Sequence, residues 1–130
     1  MSTSFRFPGT KNTENTYVAF QQDVQDAIAY AASIALATKA NAAKTIFRIA
    51  QLTGALTLTI GVGSSTTPPM VGDIVQIFFS TDATGRVVTF STGFASAGTL
   101  TLTASAGKKA FIEFVFDGTS WVETGRAIGA

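Results

Sequence analysis

The feature that most constrains this chain is strict alternation. Leu56-Thr57-Leu58-Thr59-Ile60 sets every second residue apolar, and 44 residues later the pattern returns as Leu100-Thr101-Leu102-Thr103. Successive side chains on a strand point to opposite faces, so such a run carries Leu and Ile on one face and Thr on the other. Twenty Thr and eleven Phe, both strand formers, and twelve Gly to punctuate them extend that reading to most of the 130 residues.

The alternation starts near Thr45 and runs to Thr124, with Gly125 to Ala130 a small-residue tail. Ile74-Val75-Gln76-Ile77-Phe78-Phe79 is apolar on both faces except at Gln76, which predicts a central strand or one covered by a neighbouring chain. Lys109 to Phe116 alternates Ile112, Phe114 and Phe116 against Phe111, Glu113 and Val115. Asp117-Gly118 is a hairpin signal, and Trp121 to Thr124 forms the returning strand. Two units share this order. Each has a Leu-Thr-Leu-Thr strand, a Gly-led apolar strand (after Val71-Gly72-Asp73, then after Ala106-Gly107-Lys108) and a short hairpin partner. The expectation is a small antiparallel β-sandwich, jelly-roll-like, in which two three-stranded units face each other.

Ahead of it lie two further zones. Residues 1–16 are polar and turn-rich, with Phe5 and Phe7 alternating around Arg6. Two readings stand for this extended arm: it anchors the chain on a partner through Phe5, Arg6 and Phe7, or it packs back on its own domain. Residues 17–42 read as a helix. Tyr17, Phe20, Val24, Ala27, Ala31 and Ile34 step by three and four residues, a heptad seam in an Ala-rich stretch with Thr16 at the N-cap position. That seam predicts either a stem joining identical chains, three rather than two, or a face laid on the chain's own sheet. The predicted organisation is therefore mainly β: an arm over 1–16, a helical stem over 17–42 and a sandwich head over 43–130, assembled as a homotrimer.

Composition narrows the function classes. There is no Cys and no His, so thiol chemistry and the commonest general base and metal ligand are absent. A net charge of +1 gives no basic excess for nucleic acid. The longest apolar run, Ala27 to Ala37, is too short to span a bilayer as a helix, and the first residues carry no apolar core of a secretory signal. Among the acids, Asp73, Asp82 and Asp117 sit at turns. Asp23 and Asp26 share a helix face in the predicted stem. Glu113 and Glu123 flank the last hairpin as solvent-facing residues or, in the sharper reading, as a carboxylate pair. Trp121, the single Trp, fills a sandwich end or stacks on a sugar. The expectation is a protein that is not an enzyme and needs no cofactor or metal.

Val88-Thr89-Phe90-Ser91-Thr92-Gly93-Phe94, Gly98-Thr99-Leu100-Thr101-Leu102 and Phe114 to Glu123 together resemble small β domains at the C-termini of tailed-bacteriophage virion proteins. The likeness is greatest to head fibres and to related trimeric fibre or decoration proteins. In those a Phe-x-x-Asp-Gly-Thr-x-Trp hairpin closes the domain; here it is Phe114 to Trp121, with Asp117, Gly118 and Trp121 at its key positions. The resemblance covers roughly Thr53 to Arg126. It implies a trimer with a helical stem and β head, no catalytic residues, and a virion location with the major capsid protein or another virion protein as partner. The same hairpin recurs in tail fibres, which leaves a tail-associated module that binds a host-surface glycan as the alternative. The short chain favours the capsid-attached fibre or decoration protein.

Overall fold

The computed structural model describes residues 22–40, 42–62, 69–82, 84–102 and 108–128. Ten strands follow one another: β1 (Gln22–Ile28), β2 (Ser33–Leu36), β3 (Lys44–Ile49), β4 (Leu56–Ile60), β5 (Ile74–Ser80), β6 (Arg86–Phe90), β7 (Phe94–Ala95), β8 (Leu100–Leu102), β9 (Lys109–Phe116) and β10 (Trp121–Ile128). They form a six-stranded sheet in the order β1-β3-β5-β9-β10-β7 and a four-stranded sheet in the order β2-β4-β6-β8. The mainly β, two-sheet expectation holds. The arm, with Phe5, Arg6 and Phe7, and the first stem positions, Tyr17 and Phe20, lie outside the described residues.

The chain changes sheet at every step from β1 to β6, and its pairings there are parallel: β1 with β3, β3 with β5, β2 with β4, β4 with β6. Parallel neighbours need a crossover between them. Here each crossover contains a strand of the other sheet, so the first six strands wind as a flattened coil. Antiparallel pairing enters only where β8 joins β6 and where β9 joins β5 and β10. The sandwich is thus mixed, which corrects the antiparallel, jelly-roll-like expectation. The two repeat units interleave instead of facing each other. Their Leu-Thr-Leu-Thr strands, β4 and β8, flank β6 in the smaller sheet, and their apolar strands, β5 and β9, pair in the larger. The reason lies in the turns. After β5, Asp82 takes both Arg86 Nε (3.0 Å) and Nη2 (2.7 Å), and the chain crosses to the other sheet. After β9, a tight turn sends it straight back as a hairpin.

No helix occurs among the described residues, which overturns the helical stem for the part that is described. Gln22 to Gln25 and Ile28 pair with β3, and Ser33 to Leu36 pair with β4. Ala-rich propensity is worth only tenths of a kcal/mol per residue, and a lone helix of this length is marginal in water. The strand conformation instead gives β3 and β4 hydrogen-bonding neighbours and brings Ile28, Tyr30, Ile34 and Leu36 onto the core. A strand signal is present in Ser33-Ile34-Ala35-Leu36, where Ile34 and Leu36 alternate inward. Of the remaining seam positions, Val24 lies outward on β1, Ala31 is exposed between strands, and Ala27 sits in a bulge at φ 53° whose N–H donates to Asp26 Oδ1 (2.7 Å).

One apolar layer fills the space between the sheets. Phe47, Val75, Ile77, Ile112, Phe114 and Trp121 of the larger sheet meet Leu56, Leu58, Val88 and Leu100 of the smaller, all essentially inaccessible to water. The first coil is different. On β1 the inward positions are Asp23 and Gln25, beside Thr45 and Phe47. Gln25 Nε2 donates to Asp23 Oδ2 (3.1 Å) and to the Ala37 carbonyl (2.9 Å), and Lys39 Nζ lies 3.5 Å from Asp23 Oδ1. Inward polar groups on an edge strand discourage further edge pairing. Next to them the Thr45 hydroxyl is buried with no partner among the described residues. Leaving a buried hydroxyl unpaired costs about 1–3 kcal/mol. Thr45→Val should therefore raise unfolding stability by about 1 kcal/mol in urea denaturation; a loss of stability would mean that the hydroxyl is paired in solution.

Candidate functional site

The closing hairpin is the part of the chain that the sequence singled out most sharply, and its residues turn out to build structure. Asp117 Oδ1 accepts from Thr119 N (2.9 Å), Thr119 Oγ1 (3.1 Å) and Ser120 N (2.9 Å), while Asp117 N–H donates to the Ser120 carbonyl (3.0 Å). These bonds hold the Asp117 carboxyl below its ordinary value, the Ser120 N–H contributing most. Gly118 has φ 107°, a conformation that L side chains rarely adopt. Trp121 is completely buried. Its ring lies 5.1 Å from Phe116, its indole N–H donates to the Gly61 carbonyl (3.1 Å) beyond β4, and its backbone N–H donates to Gly93 O (2.9 Å). It joins the two sheets and, so placed, offers no ring face to a sugar.

Glu113 and Glu123 occupy opposite faces of the larger sheet. Glu123 points inward and is not solvent-facing: Arg126 Nε (2.6 Å) and Nη2 (2.8 Å) donate to it, as does Ala97 N (2.8 Å). Arg126 in turn donates to the Thr99 and Gly98 carbonyls, so this clamp ties the segment before β8 to β10. Glu113 points outward and accepts from Gln76 Nε2 (2.9 Å) and Thr124 Oγ1 (2.9 Å). Both carboxyls are held below the ordinary value of 4.5, Glu123 chiefly by Arg126 and Glu113 chiefly by Gln76. Facing opposite sides of a sheet, they do not form a carboxylate pair. Among the described residues no three His, Cys, Asp or Glu side chains cluster as metal ligands would.

What the strands do assemble is a surface. On the outer face of the larger sheet, pairing aligns three transverse rows. One runs Lys44, Ile74, Val115, Val122, Ala95; the next Val24, Ile46, Gln76, Glu113; the third Arg48, Phe78, Phe111, Ala127. Val24, Phe78 and Val122 are 49%, 41% and 37% exposed, and the Phe78 and Phe111 rings lie 5.0 Å apart. At the centre of this face Gln76 Nε2 and Thr124 Oγ1 both donate to the Glu113 carboxylate. At one end of the face a shallow groove of about 350 Å³ lies between the Arg48–Asp26 ion pair, Phe78 and Lys109. The smaller sheet presents a more polar outer face, with Ser33, Thr57 and Thr89 in one row, Ala35 and Thr59 in the next, and Val87 exposed on β6. The apolar character of the first face was legible in Ile74–Phe79. The trio was missed, although Gln76 and Glu113 are the lone polar residues of their apolar runs.

Compared with known proteins, the chain matches no family model, and no curated protein is a significant match to it.

Two measurements test this account. Gly118→Ala should cost about 1–2 kcal/mol in denaturant unfolding, because the left-handed conformation then bears a Cβ; an unchanged midpoint would mean that the turn relaxes. For the carboxyls the sign is fixed by their depressed values. The unfolded chain takes up protons first, so their contribution is complete above about pH 4.5 and is lost as pH falls through the folded values. The melting temperature should be steady above that point and drop below it, with a shallower drop for Glu113→Gln.

Proposed function

We propose that the chain is a bacteriophage virion structural protein, a capsid-attached head fibre or decoration protein. It acts by anchoring and by assembling as a homotrimer, not by catalysis, and needs no cofactor. The observation that carries this reading is the set of outward apolar side chains on the larger sheet, Val24, Ile46, Ile74, Phe78, Phe111, Val115 and Val122. Neighbouring apolar side chains on an outer face mark interaction sites. The resemblance of the Phe114 to Trp121 hairpin to the closing hairpin of phage fibre and decoration domains adds the class of assembly. With strands over Gln22–Ile28 and Ser33–Leu36, assembly rests on the head and not on a coiled stem.

Residues 1–16 serve as the anchor to the major capsid protein or another virion protein, with Phe5 and Phe7 as the apolar contacts around Arg6. The tail-associated, glycan-binding alternative drew on an exposed Trp121, and the burial of that ring weighs against it. The test is to look for the chain in purified virions by mass spectrometry and to repeat this with Phe5 and Phe7 both changed to Ser. The wild-type chain should co-purify with capsids, and the double variant should be lost from them while remaining folded. A double variant that still attaches would remove the arm from the anchor; a wild-type chain absent from virions would overturn the proposal.

A further inference from the structure

We infer that Met70 and Val71 form a docking tip that enters an apolar pocket on the same virion protein to which residues 1–16 anchor. The inference rests on the anchoring half of the function proposed above and adds a second contact, made by the end of the sandwich where the chain enters β1.

Met70 and Val71 are each 73% exposed, more than any other large apolar side chain among the described residues. They take the first two positions of a tight turn, Met70-Val71-Gly72-Asp73, and other groups hold that turn. Asp73 N–H donates to the Met70 carbonyl (2.9 Å), and Met70 N–H donates to Asp73 Oδ2 (2.9 Å). Gly72, at φ 95°, supplies the positive φ that the third position of such a turn requires. Gly72 N–H donates to the Phe116 carbonyl (2.9 Å) and Phe116 N–H to the Asp73 carbonyl (2.9 Å), which ties the turn to β9. Neither Met70 nor Val71 belongs to the core. Turns ordinarily favour polar or small residues, so the fold itself does not explain two adjacent apolar side chains here. Held out on a pinned backbone, they have little ordering left to lose on docking. Met also adapts its unbranched side chain to the shape of a pocket.

The partner follows from where the tip points. Gln22, Lys44 and Ile74 lie side by side at the starts of β1, β3 and β5. Two strand spacings of about 4.8 Å each therefore separate the entry of the chain from the strand that follows the tip. Residues 1–21, with Phe5, Arg6 and Phe7 among them, join the sandwich at this end. A protein held by the anchor thus meets the tip. Val62, 41% exposed, lies at the same end, since Trp121 at the start of β10 bonds to the Gly61 carbonyl. The charges of this end among the described residues are Lys39 and Lys44 against Asp23, Asp73 and Asp117. They give no cationic excess for an anionic lipid surface. They suit a protein pocket with an apolar floor and a neutral or basic rim. Two linked contacts on one partner hold far more tightly than either alone, because the second forms at the high effective concentration set by the link.

The test compares the amount of chain per particle in purified virions by quantitative mass spectrometry. Met70→Glu and Val71→Glu should each lower it by about tenfold, the factor expected from one apolar side chain that is no longer buried. Circular dichroism and melting temperature should stay as in the wild type. Ile128→Glu, at a position 45% exposed at the far end of β10, should leave the amount unchanged. Should a Glu variant melt lower, Met70→Gln and Val71→Thr, which keep the side-chain shape, take its place under the same criteria. Tip variants that attach as fully as the wild type overturn the inference. If they do so while the Phe5 and Phe7 double variant is lost, the anchoring reading stands without it. An equal loss with Ile128→Glu overturns it too, because any added charge would then suffice. A wild-type chain absent from virions overturns the anchoring reading and the tip together.

Discussion

A single layer of apolar side chains holds the two sheets together, and the chain crosses it at every step from β1 to β6. Each crossing obliges the next strand to add its inward residues to the same layer. Leu56, Leu58 and Ile60 therefore pack against Phe47, Val75 and Ile77 not as two preformed sheets meeting but as successive turns of one winding. A fully buried Leu, Ile or Phe contributes about 1.5–3 kcal/mol. Exposed ion pairs such as Arg48–Asp26 are worth about 0–1 kcal/mol. The layer between the sheets dominates, and the surface charges adjust to it.

The winding also decides how it ends. At the β1–β2 end of the described residues, Asp23, Gln25 and Thr45 set polar groups beside the apolar contacts of Ile28, Ile34 and Leu36. At the other end β9 and β10 double back. There, Trp121 reaches from the larger sheet to Gly61, and Gly93 lies so close to Ile60 that a Cβ would meet the Ile60 carbonyl. One end is closed by polar groups that discourage further pairing. The other is closed by a large ring that fills the gap between layers.

Burial inside leaves two unlike surfaces outside. Thr57, Thr59 and Thr89 on the outer positions of β4 and β6 suit water, with Val87 exposed beside them. On β3, β5 and β9 the outer positions mix Ile46, Ile74, Phe78, Phe111 and Val115 with Lys44, Arg48, Gln76, Ser80, Lys109 and Glu113.

The sequence by itself determined the local elements from β3 onward. Leu56–Ile60, Ile74–Ser80, Lys109–Phe116 and the Asp117-Gly118 turn each follow from alternation and turn chemistry, which act within a few residues. It also marked the larger sheet's outer face, because an apolar strand broken only by Gln76 has too many apolar positions for one core. Tertiary structure alone decided three things. Residues 22–36 became strands because pairing with β3 and β4 outweighs the weak helical preference of their alanines, and such pairing depends on residues some twenty positions away. The sheets became mixed because the chain crosses the layer at each step from β1 to β6 and doubles back only at β9 and β10, the Asp82–Arg86 clamp lying at one of those crossings. Glu113 and Glu123 parted because the hairpin register sets Glu123 opposite Phe114, the neighbour of Glu113 on β9, and neighbours on a strand face opposite sides. Each of these is a contest between a short-range preference of tenths of a kcal/mol and long-range contacts worth several, which only the folded chain brings together.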